Sequence, residues 1–219
     1  MVNKKSDTTT FERGPLSPSA VNVDTTTIPW NTAITYGTLK DVRDGKSYRT
    51  VKIGSQTWMA EDLAFDTVGA HWDAMAEAWG YPWSMAMGID SRYDSADWTS
   101  TDRRKGVCPA GWHLPSLSEW KTLIAFAGGD STAGSALKST AGWYDNGNGL
   151  DNLGFRVLSS SKHYGGNDTL LGTSTLYWAS TATSSTTSSW IASFYSWRPA
   201  VETGYGSRES GFHVRCIQD

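Results

Sequence analysis

The chain has 219 residues, enough for one medium-sized domain with a real core, and 22 glycines point to a loop-rich architecture rather than a helical bundle. Hydrophobic residues make up a modest 38%, but twelve Trp, nine Tyr and six Phe concentrate burial in a few large rings. A formal net charge of −3, with Arg103-Arg104-Lys105 the one short basic cluster, gives no electrostatic reason to expect nucleic acid as a partner.

In chain order, Met1 to about Trp30 is rich in Thr, Ser, Asn and Pro with little apolar periodicity. Residues 1–36 are therefore expected to form an extended or disordered N-terminal arm suited to attachment, and residues 37–219 the folded domain. The start Met1-Val2-Asn3-Lys4-Lys5 shows no signal peptide. No stretch reaches the ~18–20 apolar residues of a membrane span, so membrane insertion is not expected. Residues 41–60 hold two strand-like runs with turns at Asp44-Gly45 and Gly54-Ser55, which predicts a short antiparallel sheet. Residues 66–98 read ambiguously as a short helix followed by an irregular loop packed with aromatic rings.

The next signal is sharper. Ser116 and Glu119 stand three apart before an apolar run, a capping box that predicts a helix from Leu117 to about Ala127, stopped by Gly128-Gly129. Trp120, Leu123, Ile124 and Ala127 form its buried stripe. A shorter helix is expected over Thr132–Lys138. Four strand candidates follow: Phe155–Ser159, Leu176–Ser180, Trp190–Phe194 and Phe212–Ile217, the last with Phe212, Val214 and Cys216 on one face.

Cys108 and Cys216 allow two states. A disulfide would close a loop of about 109 residues and contribute ~4–5 kcal/mol on the chain-entropy model, whereas a reducing compartment would leave two buried thiols. Two cysteines cannot supply a four-ligand zinc site. Asp145, Asn146, Asn148, Asp151 and Asn152 could offer hard oxygens to calcium, but turn chemistry accounts for them better, and neither a metal nor another cofactor is expected. His71 with Asp73, His113, His163 and His213 are scattered, without the spacing that sets two imidazoles on one helix face. No Ser-His-Asp or Gly-x-Ser-x-Gly pattern supplies a nucleophile, so an enzyme is not expected.

The carboxy-terminal forty residues carry the binding signal. Between the stiff segments Tyr177–Thr181 and Gly211–Cys216 lies a tract from Ser180 to Ser189 that is Ser or Thr except at Ala182, then a mixture of rings, hydroxyls and charges. Tyr195, Trp197, Arg198, Glu202, Tyr205, Ser207, Arg208 and Glu209 form the expected ligand face. Trp197 and Tyr205 are its anchors; Arg198, Glu202 and Glu209 are its polar selectors. The competing view makes Tyr195 and Trp197 core and lets the charges solvate a loop. Trp190, beside Ile191, is assigned to the core.

Four ordered motifs carry a family resemblance: Asp44 to Leu63, Val107 to Ser116 with Glu119-Trp120, Tyr177 to Thr181, and Gly211 to Cys216. Together they resemble the Fibrobacter succinogenes major paralogous domain over about residues 38–218. That domain is similar in fold to C-type lectins and to formylglycine-generating enzymes. The resemblance implies an α+β, C-type lectin-like fold with two helices, twisted antiparallel sheets and long loops. Within it the chain resembles the variable proteins of diversity-generating retroelements, with about residues 180–210 as the hypervariable region. The implied function is display of a changeable surface to a protein or glycan receptor, from a virion or a cell surface. The N-terminal arm would then contact a virion partner or further copies of the chain. Alternatives are an invariant adhesin or lectin, and a formylglycine-generating-type enzyme; Glu-Pro-Asn and Trp-Asn-Asp triplets of calcium-dependent sugar binding are absent.

Overall fold

The computed structural model describes residues 27–100, 103–160 and 172–219. It is a mixed α+β fold with few helices and curled antiparallel sheets. Strands β1 (Gly37–Lys40), β2 (Ser47–Ile53) and β3 (Gln56–Met59) form a meander whose turns fall at the expected places, where Gly45 (φ 78°) and Gly54 (φ 59°) supply left-handed backbone. The chain end returns to this meander: β10 (Ile217–Gln218) pairs with β3 and with β6 (Trp112–His113), giving the order β1-β2-β3-β10-β6.

Residues 66–98 differ from their reading. A hairpin comes first, β4 (His71–Asp73) with β5 (Ala78–Gly80), and then the five-residue helix α1 (Trp83–Met87). The Asp73 carboxylate accepts from the Met75 and Ala76 amides, closing a turn that composition alone did not mark. Helix α2 (Leu117–Phe126) begins at the predicted box, with Ser116 Oγ accepting from the Glu119 amide and the Glu119 carboxylate accepting from the Ser116 amide. Its stripe of Trp120, Leu123 and Ile124 is buried. Helix α3 (Ala133–Leu137) is the shorter expected helix.

A second sheet, β7 (Ser174–Trp178), β8 (Ser188–Tyr195) and β9 (Val201–Ser207), is antiparallel in that order. Of the four strand candidates, two become β7 and β8. Phe155–Ser159 makes only a bridge from Val157 to Lys138. Phe212–Ile217 serves several partners in turn, with Tyr81, Leu176, Leu63 and Met59 each bonded to a successive piece. It therefore stitches the two sheets rather than extending one.

Two apolar cores result. One gathers Trp58, Trp120, Leu123, Phe155, Tyr177 and Phe194 between α2 and both sheets; the other gathers Tyr81, Trp83, Trp178, Phe212 and Val214. Cys108 and Cys216 form a disulfide within the second, Cα–Cα 5.9 Å. A buried ion pair, Arg215 with Asp62, also takes the Tyr177 hydroxyl, 3.0 Å from each Asp62 oxygen. Alternation explains it: Phe212, Val214 and Cys216 enter the apolar side, so His213 and Arg215 meet buried acids on the other.

Of the expected N-terminal arm, residues 1–26 lie outside the described residues. Within residues 28–36, Ile28 is buried, and Trp30 packs against the guanidiniums of Arg49 and Arg156 at 4.1 and 4.3 Å. Among the described residues no helix is long and apolar enough to cross a membrane.

Candidate functional site

The β8–β9 hairpin presents the expected ligand residues, divided between its two ends and two faces. Residues opposite one another in an antiparallel pair share a face, and neighbours along a strand alternate. Trp190 pairs with Tyr205, Ala192 with Thr203 and Phe194 with Val201, so these share one face, whose inner part enters the first core. At its outer part the Trp190 and Tyr205 rings stack at 4.3 Å, with Tyr205 59% exposed. Tyr195 and Glu202, paired with Ser193, lie on the opposite face. There Tyr195 stacks on Trp197 at 4.7 Å, Trp197 is 60% exposed, and Arg198 pairs with Glu202 across the turn. The groups are separated by five residues of strand, about 16 Å at ~3.3 Å per residue.

Arg208, expected on the ligand face, turns away from it: it is 0% exposed, its guanidinium lies 4.0 Å above the Trp83 ring, and Nη1 donates to the carbonyls of Tyr93, Ala96 and Thr186. The neighbouring Ser207 is half-buried and Glu209 is exposed: the turn that follows β9 leaves Glu209 outside and Arg208 inside. Trp190, assigned to the core, does pack against the first core, but it is half-buried and its ring also stacks on Tyr205. Its partner across the sheet was the missing signal, and β9 was not recognisable because Gly204 and Gly206 interrupt its apolar pattern.

The Ser/Thr tract is mostly scaffold. Thr181 Oγ1 accepts from the Leu117 amide at the start of α2, and Ser185 Oγ accepts from Ser188 N–H at 3.0 Å. Short hydroxyls here replace missing backbone partners. Ser184, Thr186 and Thr187 remain exposed. A cleft of about 350 Å³ lies where this tract meets α2, lined by Arg103, His113, Ser116, Ser118, Glu119, Ser180, Thr181 and Ala182. Buried His113 bridges Asp219 (2.8 Å) and Glu119 (2.9 Å). Burial opposes the Glu119 carboxylate, but the His113 and Ser116 hydrogen bonds outweigh it and hold its pKa at about 2.

The polar turn expected to choose between calcium and local bonding uses its oxygens locally. Asn148 Oδ1 accepts from Trp143 N–H and Asp151 Oδ1 from Arg156 N–H, while Asp145, Asn146 and Asp151 adopt left-handed backbone. Among the described residues no three His, Cys, Asp or Glu side chains converge as metal ligands. Ser160, Asp73 and His213 do meet, with Ser160 Oγ donating to Asp73 at 2.5 Å and His213 Nε2 3.4 Å from both. All three are buried, so this cluster holds the fold together and offers no exposed nucleophile. His163 lies outside the described residues.

The outward residues of the hairpin are thus rings backed by other rings, with one exposed ion pair, on a backbone anchored at both ends. Such a surface can bury apolar area and select by charge. Compared with known families, the one described as Fibrobacter succinogenes major domain matches residues 51–218. No curated protein and no solved structure matches the chain at a significant level.

Proposed function

The chain belongs to the Fibrobacter succinogenes major domain family, and from that footing we propose that it is a recognition protein whose β8–β9 hairpin contacts a protein or glycan receptor. The observation that carries this reading is the exposure of Trp197 and Tyr205, each stacked on a second ring, on a hairpin whose backbone is bonded to the core at both ends. Rings held face-on need little ordering when a partner covers them, so their burial converts efficiently into affinity.

The fold is read as C-type lectin-like; the return of β10 to β3 and the long connections around α2 support this. Within that fold the protein is proposed to be the variable protein of a diversity-generating retroelement, acting at a virion or cell surface. The site is assigned no bond chemistry. Both sulfurs are joined in the disulfide, which leaves a formylglycine-generating-type reaction without a thiol.

The coding DNA tests the diversification. A near-identical template near the gene, differing from codons 180–210 at its adenines, is the expected finding. A genome without such a template overturns it and leaves the invariant adhesin. For either, Trp197→Ala and Tyr205→Ala should each weaken attachment to the receptor-bearing cell at least about tenfold, as anchors of an interface do. Unchanged attachment of both variants removes the hairpin from the interface.

A further inference from the structure

A side chain hidden beneath the closed end of the hairpin holds it in place. Lys138, at the end of α3, is 2% exposed, and lysines are buried this far only when their charge is met. Its ammonium lies 2.6 Å from the carbonyl oxygen of Gly147, 2.9 Å from that of Tyr195 and 3.3 Å from that of Arg198, and 4.9 Å from the centre of the Trp143 ring. An ammonium has three N–H donors, so three carbonyls saturate it. Among the described residues no carboxylate pairs with it: every acceptor is main chain.

We propose that Lys138 is the positioning residue of the recognition hairpin, fixing the backbone from Tyr195 to Arg198 through main-chain oxygens so that the tip keeps its shape whichever side chains stand there. The inference rests on the reading of this hairpin as the recognition element. Every residue carries a carbonyl, so the clamp is blind to side-chain identity. The exposed Arg198–Glu202 ion pair, by contrast, is of a kind worth little to geometry in water.

The surroundings support the same role. Lys138 is itself fixed, because Leu137 and Ser139 both bond with Val157 through the backbone. The loop that supplies Gly147 comes so close to the tip that a Cβ on Gly147 would stand 2.2 Å from the Ser196 carbonyl oxygen. Ser196 N–H donates to Thr173 O at 2.8 Å, a third main-chain tie. The open end repeats the device, since Arg208 Nη1 reaches three carbonyls at 2.7, 2.9 and 3.1 Å. Between two buried cations, then, Trp190, Tyr195, Trp197, Arg198, Glu202 and Tyr205 project from a backbone that none of them has to hold.

Amide hydrogen exchange, read by mass spectrometry on the full chain without ligand, tests this with two variants. In the quadruple variant Tyr195→Ala, Trp197→Ala, Arg198→Ala, Glu202→Ala, exchange over 195–202 is expected to stay within about threefold of the parent. In Lys138→Met, which keeps the stem and deletes the donors, exchange over 195–202 should rise at least about tenfold while β2 and β3 amides are unchanged. A tip loosened by the quadruple variant, or unmoved by Lys138→Met, overturns the proposal. If Lys138→Met does not fold, the quadruple variant decides alone. Neither arm involves a receptor, so this outcome is separate from that of the coding-DNA test.

Discussion

At the scale of single residues, Arg208 shows why sequence neighbours mislead about side, and Trp190, packed on the first core, shows that one ring can serve core and surface together. Trp190 follows buried Ser189 and precedes buried Ile191, yet it is half-buried; Arg208 sits between half-buried Ser207 and exposed Glu209, yet it is fully buried. Composition ranks Arg as a contact residue, but here three carbonyls and the Trp83 indole meet the guanidinium inside. Glu119 gives the opposite case, because its role as the third residue of a capping box was legible in full. What was hidden is its second duty to His113. The folded state holds its pKa at about 2, below the ordinary value near 4.5, against the pull of burial. A depressed carboxylate contributes stability above its unfolded pKa and loses it as pH falls toward the folded one. Unfolding free energies from urea titrations at pH 6 and pH 3 should therefore differ by less in Glu119→Gln than in the parent, by an amount on the order of 2 kcal/mol. Equal pH slopes would show that Glu119 is not held as described.

At the scale of elements, local rules succeeded where one short-range signal decided the outcome. The Asp44-Gly45 and Gly54-Ser55 turns, the start of α2 and its stop at Gly128-Gly129 all stand where the sequence put them. Local rules failed where pairing decided. The β4–β5 hairpin reads like helix because Ala74, Met75, Ala76 and Ala78 are common in helices, and β9 reads like loop because of its glycines. Those glycines are unequal. A Cβ on Gly206 would stand 2.4 Å from the Phe212 ring and 3.1 Å from Ile191 Cγ2, whereas one on Gly204 would meet nothing within 4 Å. Gly206→Ala is expected to cost about 1–3 kcal/mol by forcing the ring aside, and Gly204→Ala less than about 0.5 kcal/mol, both measured by thermal unfolding. Equal costs would mean that β9 does not lie against Phe212.

At the scale of the molecule, the closure of the fold depends on contacts between its two halves. The chain end enters the first sheet through β10, and Cys216 is bonded to Cys108 across 108 positions. Reduction of this disulfide is expected to lower stability by ~4–5 kcal/mol, read as the shift in urea unfolding between oxidised and reduced protein. A loss below about 1 kcal/mol would indicate that the unfolded chain gains little freedom when the bond opens. The sequence by itself determined the family, the main helix with its cap and the first hairpins, because each is written in a few adjacent residues. Only the tertiary structure decided that the residues expected to make contact split between two faces, that Arg208 turns inward, and that Lys138 lies under the tip. Those outcomes depend on which distant carbonyl, ring or acid reaches a side chain first, and spacing along a chain does not encode that distance.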